Sequence, residues 1–284
     1  LAWLLLIAVS VLTTYQHHFI DIPTGMLVGC LVLWLLPWQG NQAASFAVFR
    51  LPSNPFLSLP KPKRSPTHLR WVWLYASCAV MLSLLAFGLQ AAWYGLLWPA
   101  LALLWLATVY GHADAAAWQK QATGKHTLAV SLFAWPLRLM YRANMAYWLR
   151  GKALSAQVTE RIHVGSLLAA PDFHAVVDVS AEYPLAVMPS YYATIPMLDM
   201  VPADVAALRA AADALHQMLQ QQNQPVLVCC ALGYSRSVAV VLVYLLRQGH
   251  AHDLQAALKL LQQARPDMVV SPANQQQILK AAHE

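Results

Sequence analysis

Charge is what this sequence has least of. Only 11% of its 284 residues are Asp, Glu, Lys or Arg, against about 25% in ordinary soluble domains. So few charges cannot cover the water-facing surface of one large soluble domain. A content of 59% hydrophobic residues argues equally against a disordered chain. Acids are scarcest in the first half: residues 1–152 hold 11 Lys/Arg against 2 Asp/Glu, whereas residues 153–284 hold 7 against 10. The net charge of +6 therefore resides in the apolar half, which points to membrane topology rather than to nucleic acid. Cysteine is also rare. Cys30 and Cys78 sit in apolar runs, and Cys229 and Cys230 are adjacent, so no disulfide framework is indicated. No Cys/His pair near 229–230 has the spacing of zinc ligands, and neither a metal nor a cofactor is expected. The chain begins at Leu1 inside an apolar run and reads as the remainder of a longer protein.

A membrane-spanning helix needs about 20 mostly apolar residues. Residues 1–12 read as the tail of one span and 22–38 as a second. The stretch 71–111 contains no charged residue and leaves room for two more, turning at 88–90 or 93–95. Trp71, Trp73, Trp93, Tyr94, Trp98, Trp105 and Tyr110 fall near the expected ends, where interfacial aromatics collect. The loop 39–70 carries Arg50, Lys61, Lys63, Arg64 and Arg70. The segment after Tyr110 carries Lys120, Lys125, Arg138, Arg142, Arg150 and Lys152. Positive loops predict the cytoplasmic side for both, and the loop 13–21, with no Lys or Arg, the opposite side. Residues 128–149 are apolar but interrupted by Pro136, Arg138 and Arg142, which predicts a helix lying in the interface. The expected location is an integral, multi-pass position in a bacterial inner membrane, with the C-terminal domain cytoplasmic.

His17 and Asp21 are four residues apart, so one helical turn would set them on one face. A carboxylate on one ring nitrogen leaves the other free to act as a nucleophile. Together with Ser10 and Gly25 the pair resembles the third motif of the type-2 phosphatidic acid phosphatases, Ser-Arg-x5-His-x3-Asp. Val11 stands at the arginine position, and the family's first two motifs are absent from this sequence. The resemblance covers residues 1–40. It implies that His17 attacks phosphate and Asp21 orients it, a reading that applies to a longer parent rather than to this chain alone.

From about residue 155 the pattern changes. Short strands are predicted at 161–165, 175–180, 194–198 and 225–229. Val205, Leu208, Ala212, Leu215 and Leu219 form a helical stripe. Residues 238–246 are apolar all round and predict a buried helix. Leu254, Leu258 and Leu261 repeat at helical spacing, and Ser271-Pro272 opens a last helix. Alternating strands and helices predict an α/β domain with a mostly parallel sheet.

The informative stretch is Cys230-Ala231-Leu232-Gly233-Tyr234-Ser235-Arg236-Ser237. A strand feeds the cysteine, a glycine loop follows, and the arginine opens a helix. Amides of such a loop and the positive end of the helix converge on an anion and favour the thiolate over the thiol. A guanidinium can bind two phosphate oxygens at once. The stretch resembles the Cys-x5-Arg-Ser/Thr signature of protein-tyrosine and dual-specificity phosphatases, closest to the compact dual-specificity branch. The resemblance covers about 158–284. It implies that Cys230 attacks phosphorus and that Arg236 and the loop residues Ala231, Leu232, Gly233, Tyr234 and Ser235 hold the phosphoryl oxygens. Ser237 would stabilise the departing thiolate. Asp199, 31 residues before Cys230, would be the general acid; Asp204 is the runner-up, and Asp178 is read as structural. Where the family usually has His before the nucleophile, this chain has Cys229, read as a small buried residue.

The fold expected is a membrane α-helical N-terminal part plus an α/β cysteine-phosphatase domain, its mostly parallel central sheet flanked by helices. The domains expected are 1–40, like the C-terminal part of a phosphatidic acid phosphatase; 41–154, further transmembrane and interfacial helices; and 155–284, the phosphatase. The leading reading is a membrane-anchored phosphatase acting on a phosphoprotein or a singly phosphorylated phospholipid. Uncharged Ala231 and Leu232 disfavour multiply phosphorylated inositol lipids. The alternatives are lipid phosphate hydrolysis at His17 and a phosphate-binding pseudophosphatase. No nucleic-acid partner is expected, and the oligomeric state is left open.

Overall fold

The computed structural model describes residues 64–89 and 91–283, together with 24–25, 27–29 and 59. His17 and Asp21, the expected span at 1–12, most of that at 22–38 and most of the loop 39–70 lie outside the described residues. Two compact units are present: Leu1–Leu51 with Thr127–Trp135, and Pro52–His126 with Pro136–Glu284. The described helices and strands are, in chain order, α1 (Pro66–Gly88), α2 (Leu97–His112), α3 (Leu128–Phe133), α4 (Trp135–Trp148), β1 (Ser155–Thr159), β2 (Ile162–Ser166), β3 (Ala175–Ser180), β4 (Tyr191–Met197), α5 (Val205–Gln221), β5 (Val226–Cys230), α6 (Arg236–Arg247), α7 (Leu254–Ala264) and α8 (Pro272–His283). In the first unit Thr127 starts α3, its hydroxyl accepting from the Val130 amide.

In the second unit, α1 begins on Ser65 with Pro66 in its first turn, a position where the missing N–H costs nothing. After a 3₁₀ turn at Ala91–Leu96, α2 runs back along α1 and stops at Ala113, which is left-handed at φ 51°. Tyr110 of α2 contacts Trp71 and Tyr75 of α1, with ring centroids 6.4 and 5.4 Å apart. Pro66–Gly88 and Trp93–His112 are long and apolar enough to cross a membrane by length and composition. Trp73, Met81, Leu84 and Phe87 of α1 are exposed.

The segment after α2 turns into the core. Trp118 and Lys120 are buried. Lys120 Nζ donates to Asp178 Oδ2 (2.5 Å), Ser180 O (2.7 Å) and Ser180 Oγ (3.1 Å). Asp178 also accepts from Ser180 N, Ser180 Oγ and Tyr192 OH at 2.9, 2.7 and 2.9 Å. Lys120 is therefore no surface loop charge, as its count among the basic loop residues assumed. Its three ammonium donors are all met by buried acceptors. These contacts cross the boundary expected at 154–155. His126 bonds the Ala181 carbonyl at 2.8 Å; burial, then the nearby Lys120 charge, push its pKa down to about 3.

The single interfacial helix expected over 128–149 is two helices, α3 and α4. Pro136 has no N–H to bond the preceding turn, so α3 cannot run through it. Leu139, Met140, Tyr147 and Trp148 of α4 are exposed, while Leu137 and Met145 are buried.

The sheet order is β1-β2-β5-β3-β4. β1 pairs antiparallel with β2; β2–β5, β5–β3 and β3–β4 are parallel. The strands β2 to β5 overlap the four expected: β3 has the expected bounds, β2 and β5 lie one residue later, and β4 begins three residues earlier. β1, Ser-Ala-Gln-Val-Thr, has no apolar run to announce it. Alternation along a strand sends successive side chains to opposite faces. Val226, Val228 and Cys230 pack with the helices α5 to α8, whereas Leu227 and Cys229 pack with Met145, Leu149 and Leu167. In α6 every residue from Arg236 to Leu245 is buried.

Candidate active site

Parallel sheets present ligand sites at the carboxyl ends of their strands. β5 ends at Cys230, and the loop 231–235 leads straight into α6. Gly233 makes this loop feasible. Its φ is +77°, and a Cβ there would stand 2.3 Å from the Gly165 carbonyl carbon, so only glycine fits. The loop carbonyls are engaged by donors outside the loop. Ala231 O accepts from Ser166 Oγ at 2.6 Å, Leu232 O from Arg265 Nη2 at 3.1 Å, and Tyr234 O from Val269 N at 2.8 Å. Arg265 also lies over the Tyr234 ring at 4.9 Å. The Gly233 amide donates to Cys230 Sγ at 3.3 Å, and Ser237 Oγ is 3.4 Å from the same sulfur. Ser235, the residue before α6, receives a bond from Asn274 Nδ2 at 3.4 Å.

Arg236, only 3% exposed, is clamped by Glu182. Nη1 donates to Oε2 at 2.8 Å and Nη2 to Oε1 at 2.6 Å, while Nη1 also reaches Met197 O at 2.9 Å. Burial alone would lower the arginine's pKa, but the charges of Asp199 and Glu182 hold it well above its ordinary value. Burial would likewise raise Glu182, but the Arg236 charge and bonds keep its carboxyl below the usual range. The guanidinium Nε has no hydrogen-bond partner among the described residues; it lies 3.4 Å from Asp199 Oδ1. A planar fork fixed on one edge leaves its other edge for an anion beside Cys230.

Asp199 follows β4 and is partly exposed, with 39% of its side-chain surface accessible. Desolvation, with Glu182 adding to it, pushes its pKa up against the opposing Arg236 charge. Asp204 caps α5, accepting from Ala207 N at 3.1 Å. Asp178 lies inside β3 with Lys120. Cys229 points to the other face of the sheet; burial first and the Asp178 charge second push its thiol well above its ordinary pKa.

The structure thus brings Cys230, Gly233, Arg236, Ser237 and Asp199 together around one loop, with Ala231, Leu232, Tyr234 and Ser235 completing it. His17 and Asp21 lie outside the described residues. Sequence reasoning missed Glu182, Arg265 and Asn274. Glu182 stands two residues beyond the carboxyl end of β3, where parallel sheets form sites, and that position was its signal. Arg265 and Asn274 had none, because each acts through elements far away in sequence.

Residues 158–284 match the family described as dual specificity phosphatase, catalytic domain. No curated protein matches the chain significantly. Among solved structures the chain is similar to human DUSP28, with 22% identity over 46% of this chain and 93% of that one, TM-score 0.40. A mouse putative dual specificity phosphatase complexed with zinc tungstate is 25% identical over 45% of this chain and 86% of that one, TM-score 0.40. PTPMT1 in complex with PI(5)P is 14% identical over 46% and 95%, TM-score 0.39. The family match, with the loop geometry above, supports a cysteine-based phosphatase domain at residues 158–284.

Proposed function

We propose that this chain is a membrane-anchored phosphatase that hydrolyses phosphomonoesters, on phosphoprotein or singly phosphorylated lipid, through a cysteinyl-phosphate intermediate. The observation that carries the reading is the arrangement at Cys230: a sulfur met by the Gly233 amide and the Ser237 hydroxyl, beside a buried arginine with one edge held by Glu182. The Cys230 thiolate attacks phosphorus and the P–O ester bond breaks. Asp199 gives its proton to the leaving oxygen. The resulting Asp199 carboxylate takes a proton from water, whose oxygen attacks phosphorus as the P–S bond breaks, releasing inorganic phosphate and the thiolate. Ser237 stabilises that thiolate. Arg236 and the loop amides hold the phosphoryl oxygens, whose charge such fixed donors stabilise in the transition state.

The two apolar helices α1 and α2 support the anchoring, and the basic loops support a cytoplasmic catalytic domain. Residues 1–40 carry the resemblance to a lipid phosphatase, through the motif at His17 and Asp21. Tethering raises the effective concentration of membrane-borne substrate, and uncharged Ala231 and Leu232 favour a single phosphate.

The test uses the full chain in detergent micelles with p-nitrophenyl phosphate, a phosphotyrosine peptide and phosphatidylglycerophosphate. Cys230→Ser is expected to abolish turnover of all three. Turnover that survives Cys230→Ser but is lost in His17→Ala would move the chemistry to His17. Phosphate binding without turnover in fresh reductant would make the domain a docking module. The raised pKa of Asp199 keeps it protonated to higher pH than a free aspartate, and activity falls as pH rises through that pKa. Asp199→Asn is expected to lower kcat by about 10²–10⁴-fold and to remove this alkaline limb of the profile.

A further inference from the structure

The residue that follows Asp199 is in a conformation its own side chain does not hold. Met200 has φ +59°, in the left-handed region that a non-glycine residue avoids, and its side chain is 59% exposed, so packing does not hold it there. Two hydrogen bonds from the apolar hairpin do. Tyr110 OH, on the last turn of α2, donates to Asp199 O at 3.0 Å, and Trp71 Nε1, near the start of α1, donates to Met200 O at 3.1 Å. The two donors belong to one aromatic group. Trp71 stacks on Tyr75 at 5.7 Å, and Tyr75 meets Tyr110 at 5.4 Å. Tyr110 is 3% exposed, so its hydroxyl has little freedom to point elsewhere. A few residues on, the same loop is also held by α8, where Asn274 Oδ1 accepts from Ala203 N at 3.0 Å.

We infer that Tyr110 and Trp71 are positioning residues for the proton donor: by gripping the backbone carbonyls of Asp199 and Met200, the base of the α1–α2 hairpin sets where the Asp199 carboxyl stands relative to the Cys230 loop. The inference rests on the reading of Asp199 as the general acid. Strained backbone at a site persists only where surrounding structure over-determines it, and here the over-determination comes from the helices proposed as the anchor. The hairpin is then a working part of the active site as well as a tether.

The experiment measures kcat for the full chain in micelles with two aryl phosphates. Phenyl phosphate releases a poor leaving group that needs a proton; 2,4-dinitrophenyl phosphate releases one that does not. Tyr110→Phe removes the hydroxyl and keeps the ring. It is expected to lower kcat on phenyl phosphate by about 10-fold, since small misplacements of catalytic groups cost that much or more, and to leave the dinitrophenyl ester unchanged. Trp71→Phe is expected to act the same way and more weakly. In an Asp199→Asn background neither change should lower phenyl phosphate turnover further. Equal losses on both esters, an added loss in the Asp199→Asn background, or no loss at all would overturn the inference. If Asp199→Asn itself leaves phenyl phosphate turnover intact, it is the general-acid reading that fails.

Discussion

Among the described residues two ion pairs are buried, Lys120–Asp178 and Arg236–Glu182, and they are built differently. Lys120 and Asp178 are both fully buried, and their donors and acceptors saturate one another through Ser180 and Tyr192. Arg236 and Glu182 are nearly as buried, yet among the described residues the guanidinium Nε has no hydrogen-bond partner and lies 3.4 Å from the partly exposed Asp199. Burying a charge is costly unless it is paired and hydrogen-bonded. A closed network locks two segments together. A network with a spare donor at the mouth of an anion-binding loop is arranged for a ligand. The position of a charge in the sequence does not separate the two cases; the completeness of its partners does.

That contrast can be broken by substitution. Lys120→Met strands the Asp178 carboxylate in the core and is expected to cost about 3–5 kcal/mol of stability, read by denaturant unfolding, while the folded fraction keeps its kcat. A kcat loss in the folded fraction would show that the closed pair also serves catalysis. Arg236→Lys keeps the charge but loses the planar fork. It is expected to lower kcat by about 10²–10³-fold, measured on p-nitrophenyl phosphate. Glu182→Gln keeps one acceptor for the guanidinium and should cost about 10-fold in kcat, in keeping with a lost charge-assisted bond, together with some stability. Cys229→Ala, on the opposite face of the sheet from Cys230, should leave kcat unchanged and would place the nucleophile wrongly if it did not.

The elements with a local signature were legible in the sequence. The apolar run 225–229, the glycine at 233 and the arginine that opens α6 are neighbours in the chain, so strand, loop and helix could be read together. Asp199 was proposed as the general acid through the family resemblance, which expects an acid about 30 residues before the cysteine. The helices α1 and α2 lie largely in the stretch 71–111, which stood out by its length without a charged residue; α6, bounded by Arg236 and Arg247, has only 12 residues, the length of a core helix rather than a span. What was not legible depends on which strands become neighbours. Glu182 reaches Arg236 only because β3 lies beside β5. Lys120 looked like one more basic loop residue until the sheet supplied Asp178, 58 positions away. The grip of Tyr110 and Trp71 on 199–200 likewise joins residues that only tertiary packing brings together. These aromatics were expected at a membrane interface, and that pattern carries no information about a protein partner.

The most direct measurement is to react the full chain with a radiolabelled aryl phosphate, quench it in the steady state and locate the covalent phosphate by peptide mass spectrometry. The account predicts label on the peptide containing Cys230, absent from Cys230→Ser. Label on Cys229 or His17, or turnover that continues in Cys230→Ser, would contradict it.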